Sequence, residues 1–386
     1  MTGSNRVPTK YTSGGNVYSG LAGLEHTPYW NGDIQNVNGG FFSGTFDGDG
    51  YEIEIYIVGG TNGQTFNTST GVWTDASASS LDTASSVNEL SLFPQARGNL
   101  SGSTAVTFMN LTISGTITNA AYDCAAFVGH ARGSANFYNC TSKVNITSSQ
   151  YSCGGIIGTT KDNVSTTTTE KFTYNLIACV NQGTIITTGK STGYGTGGII
   201  GNVWNGYRDG GNDSYSGTFA NAPVVNIDSC RNTAMILGSY NVGGIIGRTG
   251  GQTTIMNCGN TGSVDAICEG SYTGNTEAQK KSRLSENSKG KDGNAGGIIG
   301  LVGGSGYADV YTSYNAGEVH AWGNKAGGIM GADTEYTTQS HTTKIYYCYN
   351  VGTVITGAYR KVRFGTTFGW KEENDYYVIG VGTGNI

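Results

Sequence analysis

The chain has 386 residues and a net charge of −5, and only 13% of its residues are charged, about half the usual ~25%. So sparse and slightly acidic a surface gives no electrostatic reason to expect nucleic acid as a partner. No apolar run reaches the ~18 residues that cross a bilayer as a helix, so no membrane insertion is expected. Gly accounts for 64 residues and Pro for four, which rules out a collagen-like or Pro-rich linker chain.

Residues 1–40 read as a lead-in or N-terminal cap. The opening Met1-Thr-Gly-Ser-Asn-Arg-Val-Pro8 lacks the apolar core of a signal peptide. Next comes Phe42-Ser-Gly-Thr-Phe-Asp-Gly-Asp-Gly-Tyr-Glu-Ile-Glu-Ile55. Asp47 and Asp49 each precede a glycine and read as turn residues. Glu52 and Glu54 alternate with Tyr51, Ile53 and Ile55, so both point to one side of a strand, ~6.5–7 Å apart. That separation suits a glycosidase pair. It equally describes the solvated face of a terminal strand, which is the preferred reading.

From Leu92 onward the chain repeats itself. Gly154-Gly-Ile-Ile-Gly158 returns at Gly197–Gly201, Gly243–Gly247 and Gly296–Gly300, and with Met330 for one Ile at Gly327–Gly331. A second phrase, Cys-x-Asn-x-Gly-x-Val/Ile, follows at Cys179–Ile185, Cys258–Val264 and Cys348–Val354. Aligned across the repeats, the Cys column is Leu111, Cys140, Cys179, Cys230, Cys258, Ser313 and Cys348. Two residues on is an Asn column, Asn181, Asn232, Asn260, Asn315 and Asn350. Six residues on is an aliphatic column, Ile117, Ile146, Ile185, Ile236, Val264, Val319 and Val354. The alignment gives seven coils, starting near Leu92, Cys124, Cys153, Thr196, Val242, Ala295 and Ala326.

Intervals between copies of the first phrase run 43, 46, 53 and 31 residues. Within them lie short β-branched runs separated by Gly, Asn and Ser, which read as strands and turns rather than helices. Three short strands per coil, stacked, make an all-β, parallel, right-handed β-helix solenoid of about seven coils with loop insertions, spanning 41–357 and followed by a C-terminal cap at 358–386. The recurring glycines are expected at turns that need φ > 0.

The column positions carry their own expectations. The aliphatic column should form one inward stack. The Cys column should be buried free thiol, since stacked side chains stand ~4.8 Å apart at Cβ against ~3.8 Å in a disulfide. Cys124 and Cys153 share a separate column. The Asn column should form an amide ladder, helped by the tolerance of Asn for the left-handed conformation.

Function, if the rod displays one, belongs to whatever interrupts the repeat. The interruptions are 60–86, 159–171, 203–223, 269–294 and 332–344. Three of them, 159–171, 203–223 and 332–344, leave from one repeat position, with short connections in the fifth and sixth coils leaving a recess between. Segment 269–294 leaves from another corner and concentrates lysines, with a short helix conceivable around 278–284. Loop 203–223 is the preferred binding element. Trp204, Tyr207 and Tyr215 offer rings, and Arg208, Asp209 and Asp213 offer polar groups, a mixture that suits sugars. Asp209-Gly-Gly-Asn-Asp213 could also give oxygens to Ca²⁺, though it lacks a full EF-hand set. No other metal or cofactor is implied. His26, His130, His320 and His341 are not spaced for a zinc site.

The Phe-x-Gly-x-x-Asp-Gly-x-Gly opening and the Gly-rich coils resemble the GLUG-repeat proteins, over residues 29–386. In that family's Gly-Leu-x-Gly phrase, Ile or Met replaces Leu here. The resemblance implies a parallel β-helix segment of a large bacterial surface or secreted protein. Such repeats occur in adhesins and beside immunoglobulin A-type peptidase domains. The His-Glu-x-x-His motif of those peptidases is absent, so no catalytic residue carries over. The expected function is a noncatalytic, extracellular or cell-surface segment, adhesin-like or a spacer, that binds a host surface or glycan. A carbohydrate-active β-helix enzyme (lyase or glycosidase) and a phage tail fibre or spike are the alternatives.

Overall fold

The computed structural model describes residues 42–58, 90–98, 104–120, 123–148, 152–160, 172–187, 194–204, 222–266, 293–303, 306–321, 325–333 and 343–356. It also places the backbone of short strands at Arg6–Val7, Tyr11–Ser13, Asn16–Tyr18, Gln64–Asn67 and Val72–Asp75. Among the described residues every regular element is a strand. Apart from two hairpins, Tyr11–Ser13 with Asn16–Tyr18 and Gln64–Asn67 with Val72–Asp75, all pairings are parallel. The second hairpin lies inside the interruption expected at 60–86.

The third coil shows the plan. Cys153–Gly154 belongs to a short sheet and Ile157–Thr160 to a middle sheet. Thr173–Ile177, Val180–Asn181 and Ile185–Thr187 belong to a long sheet. Each strand pairs with its counterpart one coil earlier and one coil later. The chain is therefore a parallel β-helix, with seven strands in the middle sheet matching the seven coils expected. The long sheet extends further at the N-terminal end, where Thr45–Asp47 and Glu52–Val58 pair with Val106–Ala120, and Arg6–Val7 pairs with Glu52–Val58.

The aliphatic column is in register from Ile117 through Ile146, Ile185, Ile236, Val264 and Val319 to Val354. All seven side chains are buried, each worth about 1.5–3 kcal/mol of transfer free energy. A second inward column changes chemistry along the rod. Phe108 and Phe137 stack at 5.1 Å, then Leu176, Ile227, Ile255 and Val310 continue the row. Phe42 and Phe46 close the N-terminal end against Phe93, and Phe42 also meets Phe108.

The Asn column is a buried ladder. The Nδ2 of Asn181, Asn232, Asn260 and Asn315 each donates to the Oδ1 of the next Asn, at 2.8, 2.7, 2.7 and 2.6 Å. The same amide nitrogens donate to the carbonyl two residues on, at Gly183, Ala234, Gly262 and Gly317, and Asn350 does likewise to Gly352. The sharp bend falls elsewhere than expected. Left-handed φ values of 47–55° occur at Asn110, Asn139, Ala178, Asn257, Thr312 and Tyr347, with Ser229 at 56°. Each of these stands immediately before the Cys column. The Asn column is thus selected for its amide, which only a regular stack can satisfy on both sides.

The repeated glycines also differ from expectation. Among described glycines, positive φ occurs only at Gly44, Gly50, Gly115, Gly133 and Gly293, none in a Gly-Gly-Ile-Ile-Gly phrase. There the requirement is close approach. A Cβ on Gly154 would lie 2.7 Å from the nitrogen of Gly201, the last glycine of the next phrase. A Cβ on Gly155 would lie 2.7 Å from Oδ1 of Asn181, and the same contact joins Gly198 to Asn232 and Gly328 to Asn350. The two phrases recur together because the middle glycine of one receives the asparagine of the other within the same coil.

Five cysteines of the main column, Cys140, Cys179, Cys230, Cys258 and Cys348, are free and buried. Each Sγ faces a carbonyl of the preceding coil at 3.4–3.8 Å. Burial pushes the thiols of Cys179, Cys230, Cys258 and Cys348 above their ordinary range. Cys124 and Cys153, by contrast, form a disulfide across neighbouring rungs of the short sheet, with Cα atoms 4.8 Å apart. That spacing lies within the ~4.4–6.8 Å range of disulfides. Rung spacing alone therefore does not keep the main column reduced. The common direction of its thiols, each aimed at a carbonyl rather than at its neighbour, accounts for that.

Candidate binding surfaces

Strand boundaries give the connections between described strands. The connection between middle and long sheets runs from Thr160 to Thr173 in the third coil, from Val203 to Val224 in the fourth and from Asp333 to Lys344 in the seventh. In the fifth coil it shrinks to the Thr249–Gln252 turn, fixed by the Thr249 hydroxyl. The other long connection, Ala266 to Asn294, joins the long sheet to the short one.

Of the predicted loop site, Trp204 is described. It is 7% exposed. Its backbone N–H donates to Thr160, its ring stacks on Tyr194 at 5.6 Å, and the Arg248 guanidinium lies 5.8 Å from the ring centre. Arg248 is itself buried and donates to Asn202 Oδ1 at 3.4 Å. The ring is thus packed against the rod. Tyr207, Arg208, Asp209, Asp213 and Tyr215, and with them the calcium segment and the walls of the expected recess, lie outside the described residues, as does 278–284.

The N-terminal carboxylates have structural partners. Glu52 meets Lys143 Nζ at 2.9 Å. Hydrogen bonds from the Ser114 hydroxyl and then from Lys143 hold its carboxyl below the ordinary range. Glu54 accepts from the Tyr56 hydroxyl. Asp47 accepts from the backbone N–H of Asp49 and from the Asn110 amide, in that order of effect, and its carboxyl is likewise lowered. These are the contacts of a turn and a solvated strand face. Among the described residues no three His, Cys, Asp or Glu side chains gather as a metal site, and no helix is long and apolar enough to cross a membrane.

The surface that sequence reasoning missed lies on the outer face of the long sheet in the last coils. Two columns flank the left-handed bend. One runs Asp228, Met256, Tyr311, Tyr346. The other runs Arg231, Gly259, Tyr314, Tyr349. Tyr311 stacks on Tyr346 at 5.7 Å and Tyr314 on Tyr349 at 5.4 Å. Gly259 lacks the side chain that would block Tyr314, whose ring leans over it to within 5.7 Å of the Arg231 guanidinium. At the last described rung Tyr346, Tyr347 and Tyr349 are 45%, 80% and 57% exposed. Between the columns the bend residues form a polar row: Thr312 donates to Asn257, and Asn257 donates to Asp228. The signal was present in sequence as Tyr at two residues before and one residue after the Cys column, in both of the last two coils.

These features define a parallel β-helix with a Gly- and Asn-locked interior and an aromatic strip on one outer face. No family model and no curated protein matches the chain. A crystal structure of a candidate immunoglobulin A1 protease from Bacteroides ovatus is similar at 16% identity, with a TM-score of 0.38, covering 91% of this chain and 79% of that one.

Proposed function

We propose that this chain is a noncatalytic binding rod of an extracellular, bacterial cell-surface protein, adhesin-like in role. The observation that carries the reading is the outer tyrosine strip, where Tyr346, Tyr347 and Tyr349, 45%, 80% and 57% exposed, gather at one rung; Tyr51 and Tyr56, 50% and 40% exposed, lie at the other end of the rod. Large rings left in water on a framework that buries its other apolar columns suit contact with another surface. The Cys124–Cys153 bridge supports a location outside a reducing cytosol. The carboxylates that could have formed a hydrolytic pair are engaged with Ser114, Lys143 and Tyr56. The test is retention of the purified chain on a glycan array and on intact host cells. Reproducible retention without turnover of the bound glycan supports the reading. Release of shortened glycan would replace it with the carbohydrate-active enzyme, and no retention on either surface would remove it.

A further inference from the structure

We infer that the strip formed by Tyr311, Tyr314, Tyr346, Tyr347 and Tyr349 is a binding site for an uncharged polysaccharide. The inference rests on the binding-rod reading and adds to it the site and the ligand class. Three properties of the strip select that chemistry. First, its rings form two parallel columns, and the last described rung leaves Tyr347 and Tyr349 more than half exposed. A pyranose ring has apolar C–H faces that pack on an aromatic face. Second, a row of amide and hydroxyl groups, Asn257 and Thr312, runs between the columns beside Asp228. With the phenol hydroxyls, it supplies the donors and acceptors that a sugar's hydroxyl edge requires. Third, Asp228 and Asp309 are balanced by Arg231 and Lys344 in neighbouring positions. A strip without net charge matches a neutral polymer and has no attraction for a polyanion. The columns follow the rod axis, so an extended chain lying along them meets a ring pair in each of the last two coils.

The test is affinity electrophoresis of the full chain through gels containing dextran, xylan, mannan or, as the anionic comparison, polygalacturonate. Variants are Tyr347→Ala with Tyr349→Ala, and separately Tyr314→Ala; Tyr56→Ala at the opposite end serves as control. Circular dichroism confirms folding, and sedimentation velocity monitors self-association. Retardation by at least one neutral polymer is expected, lost by tenfold or more in apparent affinity in the double variant and unchanged in the control. Retardation that survives the tyrosine variants would overturn this site while leaving the binding rod in place. Preference for polygalacturonate would overturn the ligand class. Self-association abolished by the same variants, without polysaccharide binding, would assign the strip to a second copy of the chain and overturn the proposal. No retardation by any polymer, with glycan-array retention intact, would overturn it too; failure of both would remove the binding rod as well.

Discussion

Replacing Asn260 with Ala tests the interior lock directly. Its side chain donates to Gly262 O at 2.8 Å and to Asn315 Oδ1 at 2.7 Å, and accepts from Asn232 Nδ2 at 2.7 Å. Three buried hydrogen bonds at roughly 1 kcal/mol each come to about 3 kcal/mol. The substitution also strands Asn315 Oδ1 and the Gly262 carbonyl without this donor, so a total loss of about 3–5 kcal/mol is expected. Asn226 gives the control, because its amide makes the same kind of ladder contact, to Asn175 at 2.9 Å, on the exposed face. Water replaces that bond, and Asn226→Ala should cost less than about 1 kcal/mol. Urea unfolding followed by circular dichroism, with hydrogen exchange to localise the loss to the fourth, fifth and sixth coils, measures both. Equal costs for the two variants would refute the claim that the buried ladder locks the coils. Gly244→Ala should be comparably harmful, since its Cβ would stand 2.5 Å from Asn260 Cγ and 2.2 Å from Gly297 O. Adding Asn260→Ala should relieve it only in part, because the backbone contact remains.

Ile236→Ala should destabilise by about 2–5 kcal/mol, the range for truncating a buried aliphatic side chain, as read from denaturant midpoints. Alkylation under denaturing, non-reducing conditions should label Cys140, Cys179, Cys230, Cys258 and Cys348 and leave Cys124 and Cys153 as one linked peptide pair; labelling of the pair would refute the bridge. The Glu52 carboxyl should titrate by NMR below the ordinary range. Its folded value is the lower one, so its contact contributes fully above the unfolded pKa and is lost as pH falls through the folded one. Lys143→Met should raise that midpoint only partly, because Ser114 exerts the larger effect. Replacing 205–221 by a Gly-Gly turn like Gly250–Gly251 should leave the rod folded, and cooperative loss of the whole β signal would show the insertion to be structural.

How far the sequence could be read differs by kind of residue. Columns were legible because parallel in-register stacking gives every position in a coil the same environment in the next, so identity recurs where environment does. That is why Ile117 to Val354 and Asn181 to Asn350 could be aligned without coordinates. The cause of recurrence was less legible. A glycine needed for positive φ and one needed for close approach look alike in a string, so the role of Gly155 against Asn181 emerged only from geometry. The cysteines show the same limit, because rotamer direction, absent from sequence, separates Cys124–Cys153 from the unbridged pairs Cys140–Cys179 and Cys179–Cys230. Trp204 stood out as an aromatic beside an insertion; its neighbours Tyr194 and Arg248 come from distant positions, so the partners of its ring were not legible in the string. Tyr311, Tyr314, Tyr346 and Tyr349 sit in the regular coils, where no interruption of the repeat marks them as a site.

The Cys124–Cys153 bridge has a mechanical meaning for a rod anchored at one end and held at the other. Each coil pairs only with its two neighbours, so a pulling force peels coils from an end in turn. A coil of 31 or 53 residues then yields roughly 100 or 180 Å of slack at ~3.3–3.6 Å per residue. The bridge closes a loop of 29 residues, and that loop cannot lengthen under load. Force spectroscopy in oxidising buffer should show a total extension about 100 Å shorter than in reductant. A tether built this way gives way by steps toward a stop near its N-terminal third.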